Sequence, residues 1–306
     1  MEILDAEQTA ARLPYVALAD SISAAAVSQD TSGVQTPSRY VLPLPEGGNL
    51  LVMPASDKSF ALTKIVTVHP GNSARNLPTI QGEVVVAEAA TGRRLGILDG
   101  ATVTGRRTAA LSLLAARELA PHPDSPLLIV GAGTQARSHL EAFCEGLGVS
   151  QVYISSRTRE RAEELAEYAE YLGAQARTIE SPGEVLGEVG MIVTATTSRE
   201  PVLPEDLPVG VFVAAVGAFN PQMTELPPAL VARCHMVVDT LEGAREEAGD
   251  LIQAESAGYF HWQDATDLAD MLLKTPDPSL AGRALIFKSV GHTLWDLAAA
   301  RLAFDG

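Results

Sequence analysis

The sequence predicts an α/β protein: a doubly wound parallel sheet joined to a second, α+β domain. Three observations predict it. Leu127-Leu128-Ile129-Val130 is a short apolar run that ends in the glycine turn Gly131-Ala132-Gly133-Thr134-Gln135-Ala136, and Gln135 to Leu147 then has helical composition. From Leu127 onward short apolar segments alternate with helical ones, the pattern of a parallel sheet with helices on its faces. The first third instead reads as helices followed by short extended segments, and Pro121, Pro123 and Pro126 separate the two parts.

Taken in order, Asp5 to Ser28 is helical, with Pro14 interrupting an otherwise Ala-rich amphipathic stretch. Pro37 ends a polar loop. Arg39 to Leu44, Asn49 to Pro54 and Phe60 to His69 read as extended, with Gly47-Gly48 marking a hairpin. Leu77 to Ala90 and Arg93 to Asp99 form a second strand pair about Thr91-Gly92, giving an antiparallel sheet. Arg107 begins a helical run through Leu119. After the glycine turn come strands at Gln151 to Ser156, Ala176 to Ile179, Met191 to Ala195, Val211 to Val216 and Met236 to Asp239, with a helix at Arg159 to Leu172. A last strand at Ala284 to Phe287 precedes an amphipathic segment, Lys288 to Phe304, in which Val290, Leu294, Leu297 and Ala298 share a face.

Length and composition bound the function. At 306 residues and 46% hydrophobic content the chain favours two domains, each with its own core. A net charge of −16 argues against a general role on nucleic acid, whose phosphates need a basic surface. Two cysteines give no disulfide framework and fit a cytoplasmic protein. The first residues, Met1-Glu2-Ile3-Leu4-Asp5, carry no basic region ahead of an apolar run, so no secretory leader is expected. No apolar stretch is long enough to span a bilayer. The six histidines are scattered and no Cys-x-x-Cys occurs, so no metal site is expected.

The glycine turn carries the first functional signal. Gly131 permits the sharp turn, Gly133 lets backbone approach a pyrophosphate, and Ala136 fills the small third position; the helix that follows offers free N–H groups to the phosphates. A strand before and a helix after are the context that makes such a match informative. The alternative is a structural turn; the context favours a Rossmann dinucleotide site. An NAD site usually ends its second strand with an acid that grips the ribose 2′-hydroxyl. Here the strand ends Ser155-Ser156-Arg157-Thr158, with no carboxylate before Glu160, which suits a 2′-phosphate. NADPH is therefore the expected cofactor and NADH the alternative. A flavin ranks lower, because no second flavin-type motif occurs.

Among four lysines, Lys64 stands out in the largely apolar strand Phe60 to Val68. A charge there has to reach solvent, a cofactor or an anion; an outward-facing edge lysine is the alternative. Arg39 and Arg107 would clamp a carboxylate if they converge, which spacing alone does not decide. His69, in the loop His69-Pro70-Gly71-Asn72, is more simply a structural histidine than a general acid.

With these pieces laid out, the chain resembles the ornithine cyclodeaminase/mu-crystallin family over nearly its whole length. The segments that carry the likeness are Pro37-Ser38-Arg39, Met53-Pro54-Ala55, Lys64 with His69-Pro70-Gly71-Asn72, Thr104-Gly105-Arg106-Arg107-Thr108-Ala109-Ala110, the glycine turn, Val216-Gly217-Ala218, Thr224-Glu225-Leu226 and Phe287-Lys288-Ser289-Val290-Gly291. The resemblance implies a substrate-binding and dimerisation domain at residues 1–119, completed by a C-terminal helix at 288–306, with a Rossmann domain at 120–287, and a homodimer. It implies that Arg39, Lys64 and Arg107 hold a substrate carboxylate, with Lys64 also reaching the reacting centre. It implies cofactor contacts from Gly131, Gly133, Thr134, Gln135 and Ala136, from Ser156, Arg157 and Thr158, from Val290 and Gly291 near the nicotinamide, and from Thr108, Thr196 and Val216.

The departures select the reaction. Cyclodeaminases carry an aspartate where this chain has Phe219 and a glutamate just before the Met-Pro pair, in Leu51-Val52-Met53-Pro54. Loss of ammonia and ring closure need proton shuttles, which Phe219 and Leu51 are not. The expectation is a ketimine reductase of the Δ1-pyrroline-2-carboxylate branch, with Met53 and Phe219 as an apolar wall for the ring of a small cyclic imino acid. Ornithine cyclodeaminase or alanine dehydrogenase activity is the rival within the family. A non-catalytic crystallin-like binding protein is the rival of another class.

Overall fold

The computed structural model describes residues 1–75, 77–274 and 283–305. The chain divides into two compact units, Met1–Arg107 with Thr293–Gly306, and Thr108–His292. The division falls within a helix, after Arg107, rather than at the proline-rich stretch near 120. The returning segment begins at Thr293 rather than at Lys288. Residues 275–282 of the expected Rossmann segment, and 306 at the end of the expected C-terminal helix, lie outside the described residues.

The first unit opens with β1 (Glu2–Ile3), α1 (Ala6–Arg12) and α2 (Tyr15–Ser32). Asp5 accepts the Gln8 N–H at 2.9 Å while the Gln8 side chain accepts the Asp5 N–H at 3.2 Å, a reciprocal cap that starts α1. The strands β2 (Tyr40–Pro43), β3 (Asn49–Ser56), β4 (Phe60–Val68), β5 (Ile80–Glu88) and β6 (Arg94–Asp99) follow. They form one sheet in the order β1-β6-β5-β4-β3-β2. The predicted antiparallel pairs are present, but β1 adds to β6 in parallel, so the sheet is mixed at that edge. A two-residue strand gives too little alternation to be read from sequence.

Next comes α3 (Gly100–Leu119). Asp99 accepts the Thr102 N–H at 2.7 Å, so the helix starts there and Arg107 lies two turns inside it, not at its beginning. The closing element of this unit, α10 (Thr293–Phe304), also corrects the sequence reading. Residues from Thr293 through Ala300 are all buried, and Val290 precedes the helix. The helix is buried along its first eight residues rather than on one stripe, and it packs on α2, β4 and β3. Ser21 donates to the Ala298 carbonyl at 2.9 Å and Arg12 to the Ala303 carbonyl at 2.8 Å, the latter serving a helix C-terminus with a cation.

The second unit holds β7 (Leu127–Val130), α4 (Thr134–Leu147), β8 (Gln151–Ser155), α5 (Arg159–Tyr171), β9 (Gln175–Ile179), β10 (Met191–Thr194) and β11 (Phe212–Ala215). It continues with α6 (Pro228–Val231), β12 (His235–Val238), α7 (Leu241–Glu247), α8 (Gly249–Ser256), β13 (Ala265–Asp267), α9 (Leu268–Leu273) and β14 (Leu285–Lys288). The eight strands run in the order β13-β12-β14-β11-β10-β7-β8-β9, and every pair is parallel. This is the doubly wound Rossmann sheet. Its direction reverses between β7 and β10, where such sheets open a crevice at the strands' carboxyl ends. Lys288 ends β14 fully buried, and so does not belong to an amphipathic surface helix.

His139 on α4 is fully buried in this unit. Its Nδ1 lies 2.7 Å from the Gln135 carbonyl and its Nε2 2.9 Å from the Ser112 hydroxyl. A carbonyl only accepts, so Nδ1 carries a proton. Burial lowers its pKa from 6.5 to about 4. The unfolded chain therefore binds the extra proton first as pH falls from 6.5 towards 4, and stability drops over that window by up to about 3 kcal/mol. Melting curves at pH 7.5 and 5.5 are expected to show a larger acid loss for wild type than for His139→Gln. Parallel losses would contradict this role.

Candidate active site

The structure gathers predicted residues into two sets, one within each unit. In the first, alternation along β4 decides the direction of Lys64. Phe60, Leu62 and Val66 are buried on one face, and Lys64 shares their parity; Ile65 points outward and is 41% exposed. β4 lies inside the sheet, so Lys64 is not an edge lysine. It is 3% exposed, opposite Met53 on β3 and Val84 on β5.

Its partner is Asp296 on α10, which the sequence reading missed. Lys64 Nζ lies 3.1 Å from Asp296 Oδ1, and Arg107 Nε lies 3.5 Å from the same oxygen. Asp296 is fully buried and Arg107 nearly so. Burial holds the Lys64 pKa below its usual 10.5; Asp296 opposes that, while the charges of Arg107 and Arg39 add to it. Arg107 is thus brought to Lys64 through a shared carboxylate, while Arg39 is half-buried and acts on the lysine through its charge alone. Two cations, Lys64 and Arg107, share one carboxylate. Arg107 Nε and Nη1 are buried without a hydrogen-bond partner. The preceding Arg106 is spent elsewhere: it donates to the Leu13 carbonyl at 2.7 Å and lies 3.8 Å over the Tyr15 ring. The His69 ring packs on Gly48, where a Cβ would come within 2.3 Å of it.

In the second unit a cleft of about 360 Å³ is lined by Gly131, Gly133, Ser156, Arg157, Thr158 and Thr196. Gly131 has φ +119°, and a Cβ there would lie 2.4 Å from the Ala195 carbonyl oxygen. Only glycine allows β7 to turn so close to the strand-end loop after β10. Over Gly133 the space is open, and α4 begins there with no side-chain cap, so its first-turn N–H groups are left for a ligand. Ala136 is fully buried, while Thr134 is exposed and Gln135 half-buried with its side-chain oxygen unpaired. These features fit a dinucleotide pyrophosphate. Arg161, one turn after Arg157, also lines the cleft and was not foreseen; so does Glu180.

The remaining predicted positions have identifiable surroundings. The Val290 and Gly291 N–H groups and the Ser289 hydroxyl all donate to Asp239 Oδ2, at 3.1, 2.8 and 2.8 Å. Gly291 has φ +87°. Thr108 and Val216 are buried. Phe219, in the loop after β11, is 48% exposed. Among the described residues no His/Cys/Asp/Glu group is arranged to hold a metal, and no helix is long and apolar enough to cross a membrane.

A Rossmann unit with an uncapped glycine turn defines the class as a dinucleotide-binding protein, and the other unit buries Lys64 and Arg107 about Asp296. The chain belongs to the ornithine cyclodeaminase/mu-crystallin family, which it matches over residues 2–306. It is 39% identical to Delta(1)-pyrroline-2-carboxylate reductase 1 of Burkholderia multivorans over 99% of this chain and 95% of that relative. It is 40% identical to the Delta(1)-pyrroline-2-carboxylate/Delta(1)-piperideine-2-carboxylate reductase of Azospirillum brasilense over the same shares. Among solved structures it superimposes with a TM-score of 0.91 and 27% identity on Thermococcus litoralis Delta(1)-pyrroline-2-carboxylate reductase in complex with NADH and L-proline, covering 100% of this chain and 97% of that one.

Asp296→Asn leaves Lys64 and Arg107 buried without a counter-charge. Denaturant unfolding is expected to show a loss of about 3 kcal/mol. A midpoint equal to wild type would mean the pair carries no buried charge.

Proposed function

We propose that this chain is an NAD(P)H-dependent ketimine reductase. Its substrates would be small cyclic imines with an adjacent carboxylate: Δ1-pyrroline-2-carboxylate, reduced to L-proline, and Δ1-piperideine-2-carboxylate, reduced to L-pipecolate. The observation that carries this reading is the buried cluster of Lys64 and Arg107 about Asp296. Its support is the likeness, over nearly the full chain, to reductases of these imines.

The unpaired Arg107 N–H groups and Lys64 bind the substrate carboxylate, with Arg39 adding charge. Asp296 favours the charged form of Lys64 against its burial and fixes where the side-chain nitrogen lies. Holding the carboxylate orients the imine carbon, and orientation is worth several kcal/mol of barrier. Gly131, Gly133 and the start of α4 would hold a nicotinamide dinucleotide, which would supply the hydride. The imine takes that hydride best when its nitrogen is protonated; the proton comes from solvent, and Lys64 is the group of the cluster able to relay one. Met53 offers an apolar surface beside Lys64. We assign Phe219 to the ring methylenes; like Leu51, it provides no proton shuttle for deamination.

Arg157 and Arg161, with the hydroxyls of Ser156 and Thr158, favour a 2′-phosphate and so NADPH over NADH. We further infer a cytoplasmic homodimer. Exposed apolar side chains on the six-stranded sheet, among them Tyr40, Ile65 and Ile80, support association through that unit.

A steady-state panel of both imines against NADPH and NADH, with ornithine and alanine as controls, tests the reading. NADPH consumption with the five-membered imine is expected; no turnover with either imine would overturn it. Lys64→Ala is expected to lower kcat/KM at least a hundredfold, and unchanged turnover would remove the lysine from the mechanism. Because the Lys64 pKa is lowered and its charged form binds the carboxylate, wild-type kcat/KM should fall as pH rises through a value below 10.5. Lys64→Arg should lack that alkaline limb; a limb unchanged in the variant belongs to another group.

A further inference from the structure

Thr224-Glu225-Leu226 carries no role in the reading above, yet Glu225 is fully buried beside the cofactor cleft. Its carboxylate is surrounded by donors from two strand-end loops. Oε1 accepts from the Thr196 N–H at 2.7 Å and the Thr196 hydroxyl at 2.8 Å. Oε2 accepts from the Thr194 hydroxyl at 2.8 Å and the Gly217 N–H at 2.7 Å. Gly217 has to be glycine for this approach, since a Cβ would lie 2.3 Å from Oε1. One side chain therefore ties the loop after β10 to the loop after β11.

The tie reaches the dinucleotide turn. Thr196 lines the cleft, and the carbonyl of its neighbour Ala195 sits against Gly131. Backbone pairing continues it: the Val202 N–H donates to the Glu225 carbonyl at 2.8 Å and the Thr224 N–H to the Ser198 carbonyl at 3.1 Å. A second buried layer aims the carboxylate. Asp250 on α8 accepts from the Leu226 N–H at 2.9 Å and the Thr224 hydroxyl at 3.1 Å, and also from the Glu225 N–H. Lys288, at the end of β14, neutralises Asp250 at 2.8 Å. Asp250 and Lys288 are both fully buried. A network this deep and this connected rigidifies what it holds.

We infer that Glu225 is a positioning residue for the dinucleotide: it fixes the Thr194–Ser198 loop against the glycine turn so that the cleft is formed before the cofactor arrives, and the Asp250–Lys288 pair holds Glu225 in place. This rests on the cofactor reading above. A preformed cleft binds without the cost of ordering a loop. Glutamine at 225 cannot replace the carboxylate, because its amide nitrogen would face either the Thr196 or the Gly217 N–H.

The test is NADPH binding by fluorescence titration at 25 °C, with melting curves and steady-state kinetics on the same samples. Glu225→Gln is expected to bind NADPH at least tenfold more weakly and to raise KM for NADPH more than KM for the imine. Thr194→Val removes one donor from a side chain that does not line the cleft and keeps its shape. It is expected to weaken NADPH binding about threefold, and it carries the test if Glu225→Gln does not fold. A merely structural role would lower the melting temperature and leave the NADPH affinity of the folded variants unchanged, and that result overturns the proposal. Wild-type protein that binds neither NADPH nor NADH would overturn the cofactor reading itself, and the positioning role with it.

Discussion

Burying Lys64 is the constraint on which the first unit turns. The inward face of β4 would accept an aliphatic residue at this position, as Phe60, Leu62 and Val66 show. A buried ion pair is generally no more stabilising than a well-packed apolar pair. The lysine therefore needs a counter-charge, and the counter-charge needs a rigid carrier. Asp296 supplies the first and α10 the second, enclosed by α2, β3 and β4. Arg107 reaches the same carboxylate from within α3. The stability given up at this face fits a site that meets an anion rather than one that only completes a core.

The second unit follows a related logic with backbone in place of cations. Its glycine turn leaves helix N–H groups uncapped, and buried acids fix the loops around it. Asp239 gathers three donors from Ser289, Val290 and Gly291, and Glu225 gathers donors from Thr194, Thr196 and Gly217. Neither acid lies on the surface of the cleft described above. Each turns a strand-end loop into a defined shape.

What the sequence made legible was what local pattern encodes. The apolar run, glycine turn and helix at Leu127 to Leu147 named the Rossmann unit, and most strands of both sheets followed from alternation and turn residues. Lys64 stood out because a charge in an apolar run is rare; its inward direction was available from its shared parity with Phe60, Leu62 and Val66. Asp296 was not legible from spacing, because it pairs with a lysine 232 positions away. Gly100 and Gly105 disguised the start of α3, so Arg107 seemed to begin a helix it sits inside. Lys288 read as the start of an amphipathic helix because its partner, Asp250, comes from a distant short helix. Short elements such as β1, β13 and the helices α6 to α9 offer too few residues for a period to emerge.

The central claim is that the cationic cluster recognises the substrate through its carboxylate. The most direct measurement compares kcat/KM for Δ1-pyrroline-2-carboxylate with that for 1-pyrroline, the same ring without the carboxylate, at saturating NADPH. The account predicts a preference of about a thousandfold or more for the carboxylated imine, reduced at least tenfold in an Arg107→Ala variant. Comparable rates on the two imines, or a preference untouched by that substitution, would contradict it.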